Sequence, residues 1–340
     1  MKFLLKYFLF LIFLFFFLAF SVEIYARYKN PSWHVNDQIL GWNLKKNFKH
    51  TYIQTDQRKN TYEAKIETNK YSLRFNNKKK TNRPDILVIG DSFVADPYVS
   101  NEKMWFSILA HEISKKENRE VTVLAGGGGG FATYQEFLLS QRLSRILKPK
   151  IFILQFCSND FGANVFEVEN SKSVYNTILR RPYPINEKSL FNSSLLAKVA
   201  RTPIIGDSKI FNYLLFRYGL IMEKYKSTST NISEPEEKKL KKKMERITLF
   251  YLKKIRQEFN NSKAFMVNCE IYSDVGSLNL KWKDYAIRAG FIPIEEGNVE
   301  IEKKLKNKAN IFYRDGGHWN ELGNYIFGKN TYNEIAKYIN

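Results

Sequence analysis

The stretch DILVIGDS, at residues 85–92, decides how the chain folds. Its short continuous apolar run is typical of a strand buried in a parallel sheet. The tripeptide Gly90-Asp91-Ser92 then turns out of that strand. A strand that ends in a small residue and leads into a helix places the next side chain at the carboxyl edge of the sheet, where open α/β sheets hold ligands. Ser92 is therefore a candidate nucleophile, although a serine that only caps the helix fits the tripeptide equally well.

Four more apolar runs follow Ser92, and stretches with helical periodicity lie between them. The runs are VTVLA (121–125), KIFILQF (150–156), AFMVNCEI (264–271) and NIFYR (310–314). Helices are expected around 105–113 and 134–147, and from the capping-box pair Ser233 and Glu236 through Ile255. Strands that alternate with helices predict βαβ units and a parallel sheet with helices on both faces.

Residues suited to catalysis follow three of those runs, at the point where each predicted strand ends. The glycines Gly126 to Gly130 come after the second strand, and glycine lets backbone N–H groups approach a substrate closely. Asn159 comes after the third strand, where its amide can donate to an oxyanion. Asp315 and His318 come after the last, and a spacing of three lets the carboxylate orient the imidazole as the base of a serine nucleophile. Together with Ser92, they predict a nucleophile, oxyanion donors and a base at one edge of the sheet.

In these four blocks the chain resembles the SGNH (GDSL-like) hydrolase superfamily. The matching residues are Gly90-Asp91-Ser92, Gly130, Asn159-Asp160 and Asp315-x-x-His318, within roughly 85–160 and 264–340. The resemblance implies a flavodoxin-like three-layer α/β/α sandwich with a central parallel sheet of strand order 2-1-3-4-5. It also implies that Ser92 is the nucleophile and that His318, oriented by Asp315, is the base. The backbone N–H groups of Ser92 and Gly130 and the side chain of Asn159 would form the oxyanion hole.

The chain departs from the family pattern at two positions. Cys157 stands where the third block usually has glycine, and Ala125 stands where the second block often begins with asparagine. Cys157 and Cys269 both lie near ends of predicted strands. A disulfide between them is one alternative, and two buried free thiols are the favoured one.

Three stretches add to the resemblance, and they match membrane-anchored bacterial members of the family. Leu40-Gly41-Trp42 and Ser72-Leu73-Arg74 resemble their lead-in, and GHWNELGN at 317–324 resembles their C-terminal block.

Residues 1–24 are predicted to form a segment separate from the rest of the fold. An unbroken apolar run occupies 7–20, and Lys2 and Lys6 come just before it. Counted over 3–22, the segment is long enough to cross a bilayer, with Lys6 near one end where it can reach the headgroups. An uncleaved transmembrane anchor is favoured, and a cleaved signal peptide remains open because small residues lie near the end of the run. A buried core helix is disfavoured because the run has no polar face. Anchor and signal peptide both place the bulk of the chain outside the cytoplasm, in the periplasm or at the cell surface.

The remaining chain divides into a preamble and a main domain. Residues 25–84 are expected to form hairpins and loops packed on the main domain, which takes up 85–340 with an insertion at about 161–232. The net charge of +20, from 54 Lys+Arg against 34 Asp+Glu, suits nucleic acid, an anionic membrane surface or an anionic polymer. The glycine run is not a GxGxxG motif and no GK[ST] follows it, so nucleotide binding is disfavoured. Nucleic acid is not expected as a partner outside the cytoplasm. Two Cys, and four His without an HExxH motif, predict no metal and no other cofactor.

These observations predict a membrane-anchored, extracytoplasmic serine esterase that removes acyl groups, acetyl foremost, from cell-envelope carbohydrate. One alternative is an O-acyltransferase of an envelope polysaccharide, which would use the same site through an acyl-enzyme. Another is a catalytically silent glycan-binding or assembly protein. The expected partners are an acylated carbohydrate or other ester, the membrane, and proteins of polysaccharide assembly.

Overall fold

The computed structural model describes residues 2–76, 82–95, 97–157, 159–171, 175–185, 188–226, 234–269 and 282–339. Ser233, the predicted helix cap, lies outside these ranges, as does the end of the predicted strand at 264–271.

The chain begins with a long apolar helix, and two hairpins follow it. These elements are α1 (Lys2–Lys29), β1 (His34–Asp37), β2 (Gly41–Leu44), β3 (Lys49–Thr55) and β4 (Thr61–Glu67). Strands β1 and β2 pair antiparallel, as do β3 and β4, which makes two hairpins within 25–84. By length and composition α1 could cross a membrane or serve as a signal sequence. Its apolar side chains are exposed along its length, so the alternative of a buried core helix is wrong.

The first half of the main domain alternates strands and helices as the sequence predicts. After β5 (Arg74–Phe75), which belongs to the preamble, its elements are β6 (Ile86–Gly90), α2 (Ser92–Ala95), a 3₁₀ turn (Asn101–Lys103), α3 (Trp105–Glu117), β7 (Val123–Gly127), α4 (Thr133–Ser144) and β8 (Ile151–Phe156). All five residues of β6 are buried, which is why this strand reads as a continuous apolar run.

An inserted segment of short elements and one longer helix follows β8. Beyond α5 (Asn159–Gly162), which starts in the third block, it contains α6 (Phe166–Ser171), α7 (Tyr175–Arg180), β9 (Tyr183–Ile185), β10 (Lys188–Leu190), α8 (Leu195–Ala200), α9 (Pro203–Gly206) and α10 (Lys209–Lys226). The chain then returns to the main domain through α11 (Glu234–Glu258), β11 (Lys263–Asn268), α12 (Trp282–Ala289), β12 (Ile292–Ile294), α13 (Glu296–Lys306) and α14 (Glu321–Ile335).

The central sheet has the order β12-β11-β8-β6-β7-β5. Strands β6, β7, β8, β11 and β12 run parallel, and they lie in the order 2-1-3-4-5 when counted along the chain. The short β5 pairs antiparallel with β7 at one edge.

Two hydrophobic cores cover the two faces of this sheet. Leu87 and Ile89 of β6 pack into one core with α4, α11 and α12. Ile86 and Val88 pack into the other with α3, α13 and α14. The predicted α/β class, with a mostly parallel sheet between helical layers and an N-terminal apolar helix, is confirmed.

One predicted strand does not belong to this sheet. Residues 310–314 form only isolated antiparallel bridges, between Phe312 and Trp319 and between Asp56 and Tyr313. The place of the fifth parallel strand is taken by β12, which has only three residues and contains a proline, so it gives no strand signal. The run at 310–314 is apolar because its middle residues are buried in the packed domain. The prediction that Asp315 and His318 follow a parallel strand is therefore wrong.

The prediction of two free thiols is also wrong. Cys157 and Cys269 form a disulfide, with their Cα atoms 5.4 Å apart. The two cysteines directly follow β8 and β11, which are paired so that Phe156 lies opposite Asn268. The next residue in each strand therefore comes within reach of the other, despite a separation of 112 residues in sequence.

Replacing both Cys157 and Cys269 with alanine should lower the free energy of unfolding by about 2–5 kcal/mol, because the cross-link restricts the unfolded chain. Denaturant unfolding with and without reductant measures the loss. Reductant should destabilise the wild type and leave the double variant unchanged. Two titratable thiols in the unreduced, denatured wild type would contradict the pairing.

Candidate active site

Ser92 lies at the carboxyl edge of the sheet, where β6 turns into the short helix α2. The Asp91 carboxylate accepts a hydrogen bond from the Phe93 N–H at 3.1 Å and so shapes this turn. Gly127 of β7 lies against the same strand end, and a Cβ atom there would be 2.0 Å from the carbonyl oxygen of Gly90. Only glycine permits that close approach, which brings the glycine-rich loop beside Ser92.

His318 and Asp315 complete a hydrogen-bonded chain to this serine. His318 Nε2 lies 2.8 Å from Ser92 Oγ, and His318 Nδ1 lies 2.6 Å from Asp315 Oδ2. The other oxygen of Asp315 accepts from the backbone N–H groups of Gly317 and His318, at 2.9 and 3.0 Å. With Nδ1–H donated to the carboxylate, the unprotonated Nε2 faces the serine hydroxyl and can take its proton.

Aromatic rings hold the imidazole in this position. The centroids of the Phe93 and Tyr98 rings lie 4.9 and 4.6 Å from that of His318. Partial burial acts to raise the pKa of Asp315, but the hydrogen bonds from His318 and Gly317 outweigh it and lower that pKa. The carboxylate therefore stays ionised and available to stabilise a protonated imidazole.

The glycine-rich loop brings Gly130 to the same edge. Gly130 has a positive φ of 70°, and nothing lies within 4 Å of the position that a Cβ atom would take. Among the described residues, no backbone carbonyl outside the helices and strands accepts a hydrogen bond from the N–H groups of Ser92 and Gly130.

Asn159 lies at the start of α5, directly beyond the carboxyl end of β8. Its amide donates to the Phe131 carbonyl at 3.1 Å and also interacts with the buried Asp91 carboxyl. The structure therefore brings Asn159 to the predicted edge, with its amide hydrogen-bonded to the protein.

Arg181, in the inserted segment, has a part in this site that the sequence did not indicate. It is buried and donates through Nη2 to the Gly130 carbonyl at 2.7 Å. Its Nε donates to the Glu169 carboxylate at 2.8 Å, and its Nη1 donates to the side-chain oxygen of Gln135. Because the guanidinium is planar and bonds Glu169, Gln135 and Gly130 at once, it fixes the backbone of the glycine loop. No motif marks Arg181, because its partners are far away in sequence.

The preamble holds the same loop from another side. Trp42 donates through its indole N–H to the Gly129 carbonyl at 3.2 Å, and the Arg181 guanidinium lies 5.3 Å from the Trp42 ring centroid. Gln135 donates to the Leu40 carbonyl at 2.6 Å. The conformation of Gly130 thus depends on the preamble and on the inserted segment.

Buried carboxyl groups lie behind the Ser92 turn. Burial raises the pKa of Glu136 well above its usual range, and the charges of Asp160 and Asp91 raise it further. Burial also raises the pKa of Asp91 to about 6, against the hydrogen bond from Phe93 and the charge of His318. Burial therefore favours the uncharged form of Glu136.

A small cavity of about 10 Å³ adjoins Ser92 and His318. Its other lining residues are mostly apolar: Phe93, Tyr98, Val99, Met104, Trp319 and Asn324. Among the described residues, no group of three or more His, Cys, Asp or Glu side chains could hold a metal ion.

Comparisons with known proteins give only distant structural likenesses. Neither a protein-family model nor a curated protein matches the chain. The psychrotrophic esterase EstA from Pseudoalteromonas sp. is similar at 12% identity and a TM-score of 0.42, over 76% of this chain and 99% of that one. TesA is similar at 10% identity and a TM-score of 0.41, over 74% and 98%. An acetyl xylan esterase from the rumen bacterium Butyrivibrio proteoclasticus is similar at 11% identity and a TM-score of 0.33, over 83% and 68%.

Replacing Asp91 with asparagine should make the protein more stable at high pH but not at low pH. Because the folded pKa of about 6 exceeds the ordinary value of 3.8, the wild type loses stability as pH rises between the two. The variant keeps the acceptor for the Phe93 N–H and avoids that loss, so its advantage should grow by roughly 2–3 kcal/mol between pH 4 and pH 8. Denaturant midpoints at both pH values measure the difference.

Asp85→Asn is the matched control for Asp91→Asn. Burial acts to raise the pKa of Asp85, but hydrogen bonds from Thr122, Lys150 and Arg119 lower it. Its asparagine variant should therefore lose stability relative to the wild type as pH rises. If the stability difference between Asp91→Asn and the wild type does not change with pH, the raised pKa of Asp91 in the folded protein is contradicted.

Arg181→Lys should slow the reaction of Ser92 with a fluorophosphonate by about tenfold or more. A lysine cannot hydrogen-bond Gly130, Gln135 and Glu169 at the same time, so the glycine loop shifts and displaces an oxyanion donor. Arg142→Lys is the control. Arg142 makes a bidentate salt bridge with Asp37, at 2.7 and 2.8 Å, so its replacement also breaks an arginine–carboxylate pair but away from the glycine loop. Equal inactivation rates for the two variants would show that Arg181 does not position the loop.

Proposed function

We propose that this chain is an SGNH-type serine ester hydrolase, anchored in a membrane by α1, that removes short acyl groups from cell-envelope carbohydrate outside the cytoplasm. The observation that carries the proposal is the hydrogen-bonded chain from Asp315 through His318 to Ser92. It supports ester hydrolysis because it joins a nucleophile, its base and the group that orients the base. It argues against a catalytically silent glycan-binding protein, which has no need of this geometry.

The proposed reaction begins with the attack of Ser92 Oγ on the ester carbonyl carbon. His318 Nε2 takes the hydroxyl proton, and the Asp315 carboxylate stabilises the imidazolium that forms. The negative charge that develops on the carbonyl oxygen is met by the backbone N–H groups of Ser92 and Gly130. The amide of Asn159 is the third donor once it leaves the Phe131 carbonyl.

The tetrahedral intermediate then collapses. The bond from the acyl carbon to the alcohol oxygen breaks, and His318 gives its proton to the leaving alcohol, which leaves the acyl group on Ser92. A water molecule, deprotonated by His318, attacks this acyl-enzyme. The free acid departs, and the proton returns to Ser92 Oγ.

The small cavity beside Ser92 supports a short acyl group. At about 10 Å³, it offers room for roughly one water-sized group. Val99, Met104 and Trp319 are buried side chains in its wall, and a long acyl chain would have to displace them. We therefore expect acetyl esters to be the preferred substrates.

Three observations support the proposed location and substrate class. The helix α1 is long and apolar enough to cross a membrane. The Cys157–Cys269 disulfide suits an oxidising compartment. The excess of positive charge favours an anionic polymer as the acylated partner.

The full chain should hydrolyse p-nitrophenyl acetate and acetylated oligosaccharides. Its kcat/KM should fall at least about tenfold from the acetate to the octanoate ester, because a single methylene changes transition-state binding in a pocket by roughly 1–3 kcal/mol. Ser92→Ala should lose turnover by at least about 10³-fold and escape fluorophosphonate labelling. Ser193→Ala, at an exposed serine of the inserted segment, is the matched control and should behave as wild type.

Two outcomes would separate the alternatives. Acetyl transfer to an added oligosaccharide without release of free acetate would favour the O-acyltransferase. Absence of both reactions from a folded wild type, together with labelling that persists in Ser92→Ala, would contradict enzymatic function at this site.

A further inference from the structure

The helix α10 is apolar around most of its circumference. One side packs into a small core through Leu215 and Phe211. Tyr213, Leu214, Phe216, Leu220 and Ile221 project from the other side and are 40–60% exposed. Ile204, just before α10, is 84% exposed. These six exposed side chains are called the α10 face. A helix that is apolar on both sides is normally covered on both, and the described residues leave the α10 face uncovered.

The start of α10 is fastened to the helix that is proposed to anchor the chain. The Glu23 carboxylate of α1 accepts from the N–H groups of Lys209 and Ile210, at 2.9 and 3.0 Å, and from Ser208 Oγ at 3.0 Å. Arg27 donates to the Asp207 carbonyl. A carboxylate at this position both caps α10 and complements its dipole, so the two helices are joined at a defined point.

That point lies where α1 would leave the bilayer. Residues 3–22, which are apolar apart from Lys6 and Ser21, span about 30 Å as a helix, which matches the hydrocarbon thickness of a membrane. Glu23 is the next residue, so it would lie at the level of the lipid headgroups. Because Glu23 caps α10, α10 begins at that same level.

We propose that the α10 face lies in the interface of the bilayer that α1 crosses, with its apolar side chains at the boundary between headgroups and acyl chains. This inference rests on the membrane anchor of the proposed function. Arg27 and Lys29 at the end of α1, and Arg217 beside the α10 face, suit the lipid phosphates. The occupant is lipid because α10 starts at its junction with α1, whose own partner in the proposed function is the hydrocarbon core.

The arrangement links the membrane surface to the active site through two consecutive residues. Arg180 donates to the Gly206 carbonyl and to Asn212 at the start of α10, at 2.8 and 2.6 Å. Arg181 donates to the Gly130 carbonyl. A bilayer that holds α10 therefore also holds the segment that positions the glycine loop.

The test uses the full chain, reconstituted as one copy per lipid nanodisc, with a single bimane label on an introduced cysteine. The native cysteines are paired, so only the new one reacts. Nanodiscs are made with ordinary or with acyl-chain-brominated phosphatidylcholine, whose bromine quenches a label at short range. Leu214→Cys and Phe216→Cys report the α10 face. Phe10→Cys reports α1, and Ile287→Cys on α12, which is 65% exposed, is the matched control on the main domain.

Brominated lipid should quench the labels at 10, 214 and 216 at least twofold more than the label at 287. Quenching at 10 together with values at 214 and 216 equal to that at 287 would overturn the lipid contact and leave the anchor standing. No quenching at 10 would overturn the anchor and the inference with it. Discs that hold two copies are compared with discs that hold one. If the labels at 214 and 216 escape the lipid quencher and become buried only in two-copy discs, the face binds a second copy and the lipid contact is overturned. Ester turnover is measured separately, so a failure of catalysis is distinguished from a failure of membrane contact.

Discussion

The 2.8 Å hydrogen bond between His318 Nε2 and Ser92 Oγ is the contact on which the functional interpretation depends. It joins residues that are 226 positions apart in sequence, and it forms only because the chain returns to the carboxyl edge of the sheet after α13. Each partner is fixed locally. Ser92 is held by the turn that Asp91 shapes, and His318 is held by the Asp315 carboxylate and by the rings of Phe93 and Tyr98. The sheet brings these two local structures to within one hydrogen bond.

Much of this arrangement could be predicted from the sequence, because the inner strands are covered on both faces and therefore read as unbroken apolar runs. The edge of the sheet could not be predicted. The three residues of β12 give no signal, whereas 310–314 imitates a strand because it is buried without joining the sheet. The error did not displace Asp315 and His318, because their mutual geometry depends on the turn between them and not on the element before them.

The contacts that reach across the chain were not predictable in the same way. Cys157 and Cys269 meet because two neighbouring strands share a register, and nothing in the spacing of two cysteines specifies that register. Arg181 belongs to a stretch without periodicity, yet it holds the carbonyl of Gly130. The inserted segment is thus part of the site's framework, and its other end, at α10, is joined to the helix that we propose as a membrane anchor. A site held in this way would act on esters close to the membrane surface.

The most direct test of the central claim, that Ser92 and His318 act as one unit, is a double-mutant cycle on ester turnover. If the two residues act through their shared hydrogen bond, Ser92→Ala, His318→Ala and the double variant should lose kcat by a similar factor, because removing either partner already abolishes their joint action. All three variants should keep the wild-type fold, measured by circular dichroism. Losses that multiply in the double variant, or a His318→Ala enzyme within about twofold of wild type, would contradict the account.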